Sequence, residues 1–111
     1  MKANVKVSSQ IIFEVEASDH KEMVEKLSTL QEVFSNTTCQ RCQHDARFVT
    51  REVEDNKYYE MRCLNPKCRA KLSFGVHKKG GTFFPKRNNE DGKYHQFSGW
   101  RIFNKSTGKE E

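Results

Sequence analysis

Four cysteines stand in two pairs, Cys39-Gln40-Arg41-Cys42 and Cys63-Leu64-Asn65-Pro66-Lys67-Cys68, with twenty residues between the pairs. No other feature of the chain limits its fold as tightly. C-x2-C followed by C-x4-C at this separation is the spacing of a four-thiolate zinc site with one widened turn. Zn2+ takes four soft ligands in a tetrahedron, with Zn–S about 2.3 Å. Two ligands a few residues apart reach the metal from one tight turn, whose backbone N–H groups are free to bond to the sulfurs. Between the pairs, predicted strands 48–53 and 57–62 flank Glu54-Asp55-Asn56, a turn sequence. A hairpin there returns the second pair to the first. Arg41, Arg62, Lys67 and Arg69 lie beside the ligands and are expected to favour thiolates. His44, two residues past Cys42, is placed to support or replace a ligand. Four protein ligands close the site, so the zinc is expected to be structural.

The other uses of four cysteines fit less well. Met1-Lys2-Ala3-Asn4-Val5-Lys6 has no apolar signal core, so a cytoplasmic location is expected and two disulfides are not. A redox Cys-x-x-Cys leaves the second pair without a purpose, and ferredoxin spacings are absent. A metal also answers a shortage. Of 111 residues, 34% are hydrophobic and 32% charged. A chain this small buries only about two-thirds of its unfolded surface, so its core is thin and a staple is needed.

At these cysteines the chain resembles a zinc ribbon, two cysteine knuckles joined by a β-hairpin with a further strand after the second. The resemblance covers about residues 37–77. Zinc ribbons occur in transcription factors, polymerase subunits, topoisomerases, primases and ribosomal proteins, so the resemblance implies service to nucleic-acid machinery. The C-x4-C knuckle departs from the usual C-x2-C. Lys71-Leu72-Ser73-Phe74-Gly75-Val76-His77-Lys78-Lys79-Gly80-Gly81 and Phe84-Pro85-Lys86-Arg87 are also similar to small phage-type zinc-ribbon proteins.

Around the cysteines, periodicity predicts the other elements. Val5, Val7, Ile11, Phe13 and Val15 alternate as one face of a strand over 5–17, with Ile12 the exception and Ser8-Ser9 a place to bend it. Asp19 and Glu22 form a capping-box pair before a helix at about 20–35. Its apolar stripe is Met23, Leu27, Leu30 and Phe34, widened by Val24 and Val33. A third short strand is expected at 72–76, a turn at Gly80-Gly81, and a last strand within 94–103. The expected fold is α+β: an N-terminal strand–helix unit (1–36) packed with a β-rich zinc ribbon and short C-terminal β extension (37–105). Residues 106–111 read as a loose tail, and the whole as one compact domain. No run of 18 apolar residues exists, so no membrane contact is expected.

Charge points to a partner. Residues 1–38 carry four basic and six acidic side chains; residues 39–111 carry sixteen and nine. Between Met61 and Asn89 stand eight Lys or Arg and no acid. Such a single-sign run suits a polyanion, most often nucleic acid. Four thiolates and one Zn2+ sum to −2 and lower the formal +5 to +3, which leaves the run positive. Arg69, Lys71, Lys78, Lys79, Lys86 and Arg87 are the candidate phosphate contacts, with Phe83 and Trp100 as candidate stacking rings. The competing assignment for Trp100 is core. Interleaved cations and rings with no recognition helix favour a single strand, DNA slightly over RNA. No nucleophile motif, phosphate loop or paired carboxylates are present, so a non-enzymatic role is expected. The alternative function is a protein–protein adaptor or inhibitor, phage-encoded, docking on a nucleic-acid enzyme through the basic face. In either case the acidic N-terminal unit is the half suited to protein contact.

Overall fold

The computed structural model describes residues 1–8 and 11–111. Among them it has one helix and mostly antiparallel sheets, so the α+β expectation holds at that level. The chain divides into two compact units, Met1–Asn36 with Val76–Phe84, and Thr37–Gly75 with Pro85–Glu111.

In the first unit, strands β1 (Lys2–Lys6) and β2 (Ile12–Glu16) pair antiparallel, with Val5 opposite Phe13 and Ala3 opposite Val15. The single strand expected over 5–17 is thus a hairpin. The proposed bend at Ser8-Ser9 lies partly outside the described residues. Helix α1 (His20–Phe34) follows. Asp19 caps it, its carboxylate accepting from the Glu22 N–H at 2.8 Å. The reciprocal half of the capping box is replaced: the Glu22 carboxylate takes the Ser18 hydroxyl at 2.6 Å and the Lys26 ammonium at 3.0 Å. Val15, Ala17 and Met23 form the centre of this unit's core, with Val5, Phe13, Leu27 and Leu30 packed around them. Val24 is exposed and does not belong to the stripe.

The second unit is organised by β3 (Ala46–Val53), β4 (Asn56–Cys63) and β5 (Lys71–Val76), with β7 (Trp100–Arg101) paired to β5, while β6 (Phe83–Pro85) begins in the first unit and ends in the second. The β3–β4 turn is tight because Glu54 and Asp55 both take positive φ, 50° and 68°, which is the twist a two-residue hairpin loop needs. Register then sorts the side chains. Phe48 lies opposite Met61, Met61 opposite Leu72, and Leu72 opposite Trp100. One step away, Arg47 lies opposite Arg62, Arg62 opposite Lys71, and Lys71 opposite Arg101. Successive residues face opposite sides of a strand, so an apolar row and a cationic row run across four strands on opposite faces.

Trp100 is 1% exposed among Met61, Leu72 and the other buried residues, so it is core and is not a stacking platform. Stacking on a base needs an open ring face, which this indole does not have. The expected last strand over 94–103 is broken. His95 is buried, and its Nδ1 accepts from the N–H groups of Phe97 (3.0 Å) and Gly99 (3.3 Å). Gly99, at φ +95°, approaches so closely that a Cβ there would lie 2.4 Å from the Lys86 carbonyl oxygen. Strand β8 (Phe103–Asn104) pairs with β9 (Lys109–Glu110), and the Glu110 carboxylate reaches the Lys71 ammonium at 2.5 Å.

Burial, then the charges of Arg101 and Arg41, hold the His95 pKa below its usual 6.5. In the folded protein the ring takes a proton less readily than in the unfolded chain, where it does so near pH 6.5. The unfolded state therefore binds more protons below that pH, and stability is lost as pH falls from 6.5 towards the depressed folded value. An asparagine side chain at this position would keep an acceptor oxygen near the place of Nδ1 without titrating. The stability difference between wild type and His95→Asn, followed by denaturant unfolding from pH 8 to 5, is expected to move against the wild type as pH falls. Parallel curves would contradict the role of His95.

Candidate metal centre

Each cysteine pair is shaped by its own turn. In the first, the Cys39 N–H donates to the His44 carbonyl (2.9 Å) and the Gln43 N–H to the Cys39 carbonyl (2.9 Å). Gln43 takes φ 66° to close this turn. In the second, the Cys63 N–H donates to the Ala70 carbonyl, and the Cys68 and Arg69 N–H groups both donate to the Asn65 carbonyl. The two extra residues of C-x4-C are absorbed there, with the Asn65 side chain accepting from the Lys67 N–H at 3.0 Å. Arg69, at φ 59°, leaves the turn. Both knuckles share a device. The N–H two residues past the first cysteine points at its sulfur, Arg41 to Cys39 Sγ and Asn65 to Cys63 Sγ, each at 3.4 Å.

Cys63 is the last residue of β4 and stands opposite Ala46, so the hairpin delivers the second pair to the first. The four Sγ atoms lie within 4.8 Å of one another, and none is in a disulfide. Cys39 Sγ is 3.8 Å from Cys68 Sγ, and Cys42 Sγ is 3.3 Å from Cys63 Sγ. A tetrahedron with Zn–S bonds of about 2.3 Å has sulfurs about 3.8 Å apart. The donor set is therefore positioned to coordinate a metal ion and is compatible with Zn2+. Cys39 is buried and the other three half-buried.

Without a cation Cys42, Cys63 and Cys68 do not ionise together. The His44 N–H bond pulls Cys42 down to about 6. Burial pushes Cys63 up to about 12 and raises Cys68 as well. Two of the cations expected to aid ionisation, Arg41 and Arg62, point elsewhere. Arg41 stacks on Phe97 at 4.2 Å and donates to the carbonyls of Trp100 and Glu111. Arg62 turns to Glu60 at 2.8 Å. His44 is exposed with its ring against the Cys42 carbonyl; it is not one of the four clustered ligands, and its side chain also helps to lower the Cys42 thiol.

The expected phosphate contacts divide between the units. Lys78, Lys79 and Phe83 belong to the first unit, and Arg69, Lys71, Lys86 and Arg87 to the second. Arg69, Lys78, Lys79 and Lys86 are exposed, and Phe83 is half-buried. Two cations are spent internally. The Lys71 side chain is 18% exposed between the carboxylates of Glu60 and Glu110. Arg87 donates to the Ser98 carbonyl at 2.8 Å. A largely covered ammonium between two carboxylates, as at Lys71, has little left to offer a phosphate. Arg47, Arg51, Tyr58 and Glu60, absent from the expected contacts, share a sheet face that only the β3–β4 register brings together.

No protein-family model, curated protein or solved structure shows significant similarity to the chain.

Zinc added to the metal-free protein at pH 7 is expected to bind one to one and to displace protons from Cys63 and Cys68. Calorimetric titration in two buffers of different ionisation heat reads this directly. Binding without proton release, or no binding, would contradict the four-thiolate assignment.

Proposed function

We propose that the chain is a non-enzymatic, zinc-stabilised nucleic-acid-binding protein of the cell interior, with single-stranded DNA slightly preferred over RNA. The observation that carries this is the run from Met61 to Asn89, which holds eight cations and no acid. Within it Arg69, Lys78, Lys79 and Lys86 are exposed. Exposed cations of this kind neutralise phosphates and release their counterions, independent of sequence. In this role Cys39, Cys42, Cys63 and Cys68 hold Zn2+, whose part is to fix the two knuckles. The exposed Lys78 and Lys79, at the Gly80-Gly81 turn, supply cations that a phosphate backbone can approach.

A second function has its own support. Ile12 and Val24 are exposed apolar side chains of the first unit, which suits an adaptor that contacts another protein. Oligonucleotide binding with no other protein present separates the two. Zinc-loaded protein is expected to bind a fluorescent single-stranded oligonucleotide more tightly than a matched duplex, with affinity falling as salt rises. Lys78→Glu/Lys79→Glu is expected to weaken it about tenfold or more, while the fold survives. No binding by the folded, metal-loaded protein would transfer the case to the adaptor.

A further inference from the structure

The cationic row of the second unit is unusual in what it tolerates. Arg47, Arg62, Lys71 and Arg101 occupy directly opposed positions on β3, β4, β5 and β7. Like charges directly opposite each other destabilise a sheet. Three inter-strand steps of about 4.8 Å make the row about 14 Å long. A single buried carboxylate permits it. The Glu60 side chain is 1% exposed and receives Arg62 Nε at 2.8 Å, Arg51 Nε at 3.6 Å and Lys71 Nζ at 3.9 Å. With Arg51, five cations on this face stand against Glu60 and the Glu110 that reaches Lys71.

The row is not uniformly satisfied. Lys71 is held by its two carboxylates, and Arg101 donates to the carbonyls of Lys86, Asn88 and Gly99. At the other end Arg47 is exposed and has no ion pair or side-chain hydrogen bond among the described residues. Arg51 Nε is buried, has no hydrogen-bond partner, and faces Glu60 at long range. The Arg62 side chain is 46% exposed beyond its bond to Glu60. Beside them Tyr58, opposite Arg51, is exposed, with the Arg51 guanidinium 4.8 Å from its ring centroid. A stability network alone gives no reason for an unpaired Arg47 next to Arg62.

We propose that this sheet face, Arg47, Arg51 and Arg62 with Tyr58, is the surface that takes the backbone phosphates of a single-stranded nucleic acid. This rests on the nucleic-acid-binding role proposed above and adds to the Lys78–Lys79 turn a second set of phosphate contacts. All three cations are arginines, whose planar forks match phosphate oxygens in a way lysine does not. Tyr58 offers a ring to an unpaired base, and an open sheet face accepts a strand that has no groove to be entered. Glu60 has a positioning role: it gathers Arg51 and Arg62 from neighbouring strands and keeps them from separating.

The test compares zinc-loaded wild type, Arg47→Glu, Arg47→Gln, Tyr58→Ala and Lys78→Glu/Lys79→Glu for binding to fluorescent oligo(dT) across a salt series. Arg47→Glu is expected to weaken binding about tenfold near 0.1 M salt, and Arg47→Gln to lower the salt slope by about 0.7. Tyr58→Ala is expected to weaken binding about fivefold or more. In wild type, oligo(dT) is expected to shift the arginine Nε–H resonances of Arg47, Arg51 and Arg62, a readout that needs no variant to fold. If wild type binds but these resonances stay still and the Arg47 and Tyr58 variants bind within twofold of it, the sheet face is wrong and the nucleic-acid role stands. If wild type does not bind, both fail. Equal competition by polyglutamate of matched charge would also overturn the assignment, because it would make the face a general anion surface.

Discussion

Ala46 lies opposite Cys63 in the β3–β4 ladder, and this registration governs most of what the second unit contains. It returns the second cysteine pair to the first. It aligns Phe48 and Met61 with Leu72 and Trp100 on one face, and Arg47 and Arg62 with Lys71 and Arg101 on the other. A slip of one residue would turn each side chain of β4 to the opposite face. Arg62 would then enter the core, and Cys63 would point away from Cys42. Two constraints resist that slip together, burial of the apolar row and closure of the sulfur cluster.

The metal centre and the sheet are coupled through single residues. Cys63 ends β4 directly after Arg62, and Arg41 lies between Cys39 and Cys42. Arg41 reaches the Trp100 carbonyl, so the first knuckle is tied to the strand that completes the apolar row. Few buried apolar residues are available to hold this arrangement, with Met61, Leu72, Phe74 and Trp100 prominent among them. In a small domain with a thin core, a metal site closing between two segments contributes folding free energy directly. The cationic face adds a cost of its own, which Glu60 offsets from a buried position.

The cysteine pairs, the hairpin between them and the helix were legible because each rests on local chemistry. Spacing marked the knuckles, Glu54-Asp55-Asn56 marked the turn, and Asp19 marked the helix start. The cationic row was not legible, because cross-strand neighbours depend on a register that a single sequence does not spell out. Arg47 and Lys71 are far apart in the chain and share a row only after folding. Trp100 was open between core and surface for the same reason, since Leu72 meets it only across strands. The short β8–β9 pair has no apolar alternation to announce it. Lys71 and Arg87 read as surface cations because their protein partners, Glu60, Glu110 and the Ser98 carbonyl, come from other segments.

A four-thiolate metal site is the claim on which the rest depends, and zinc-edge X-ray absorption of the purified protein tests it most directly. The account predicts one zinc per chain with a first shell of four sulfurs at about 2.3 Å. Nitrogen or oxygen in that shell, or protein that holds no stoichiometric metal and carries its cysteines as disulfides, would contradict it.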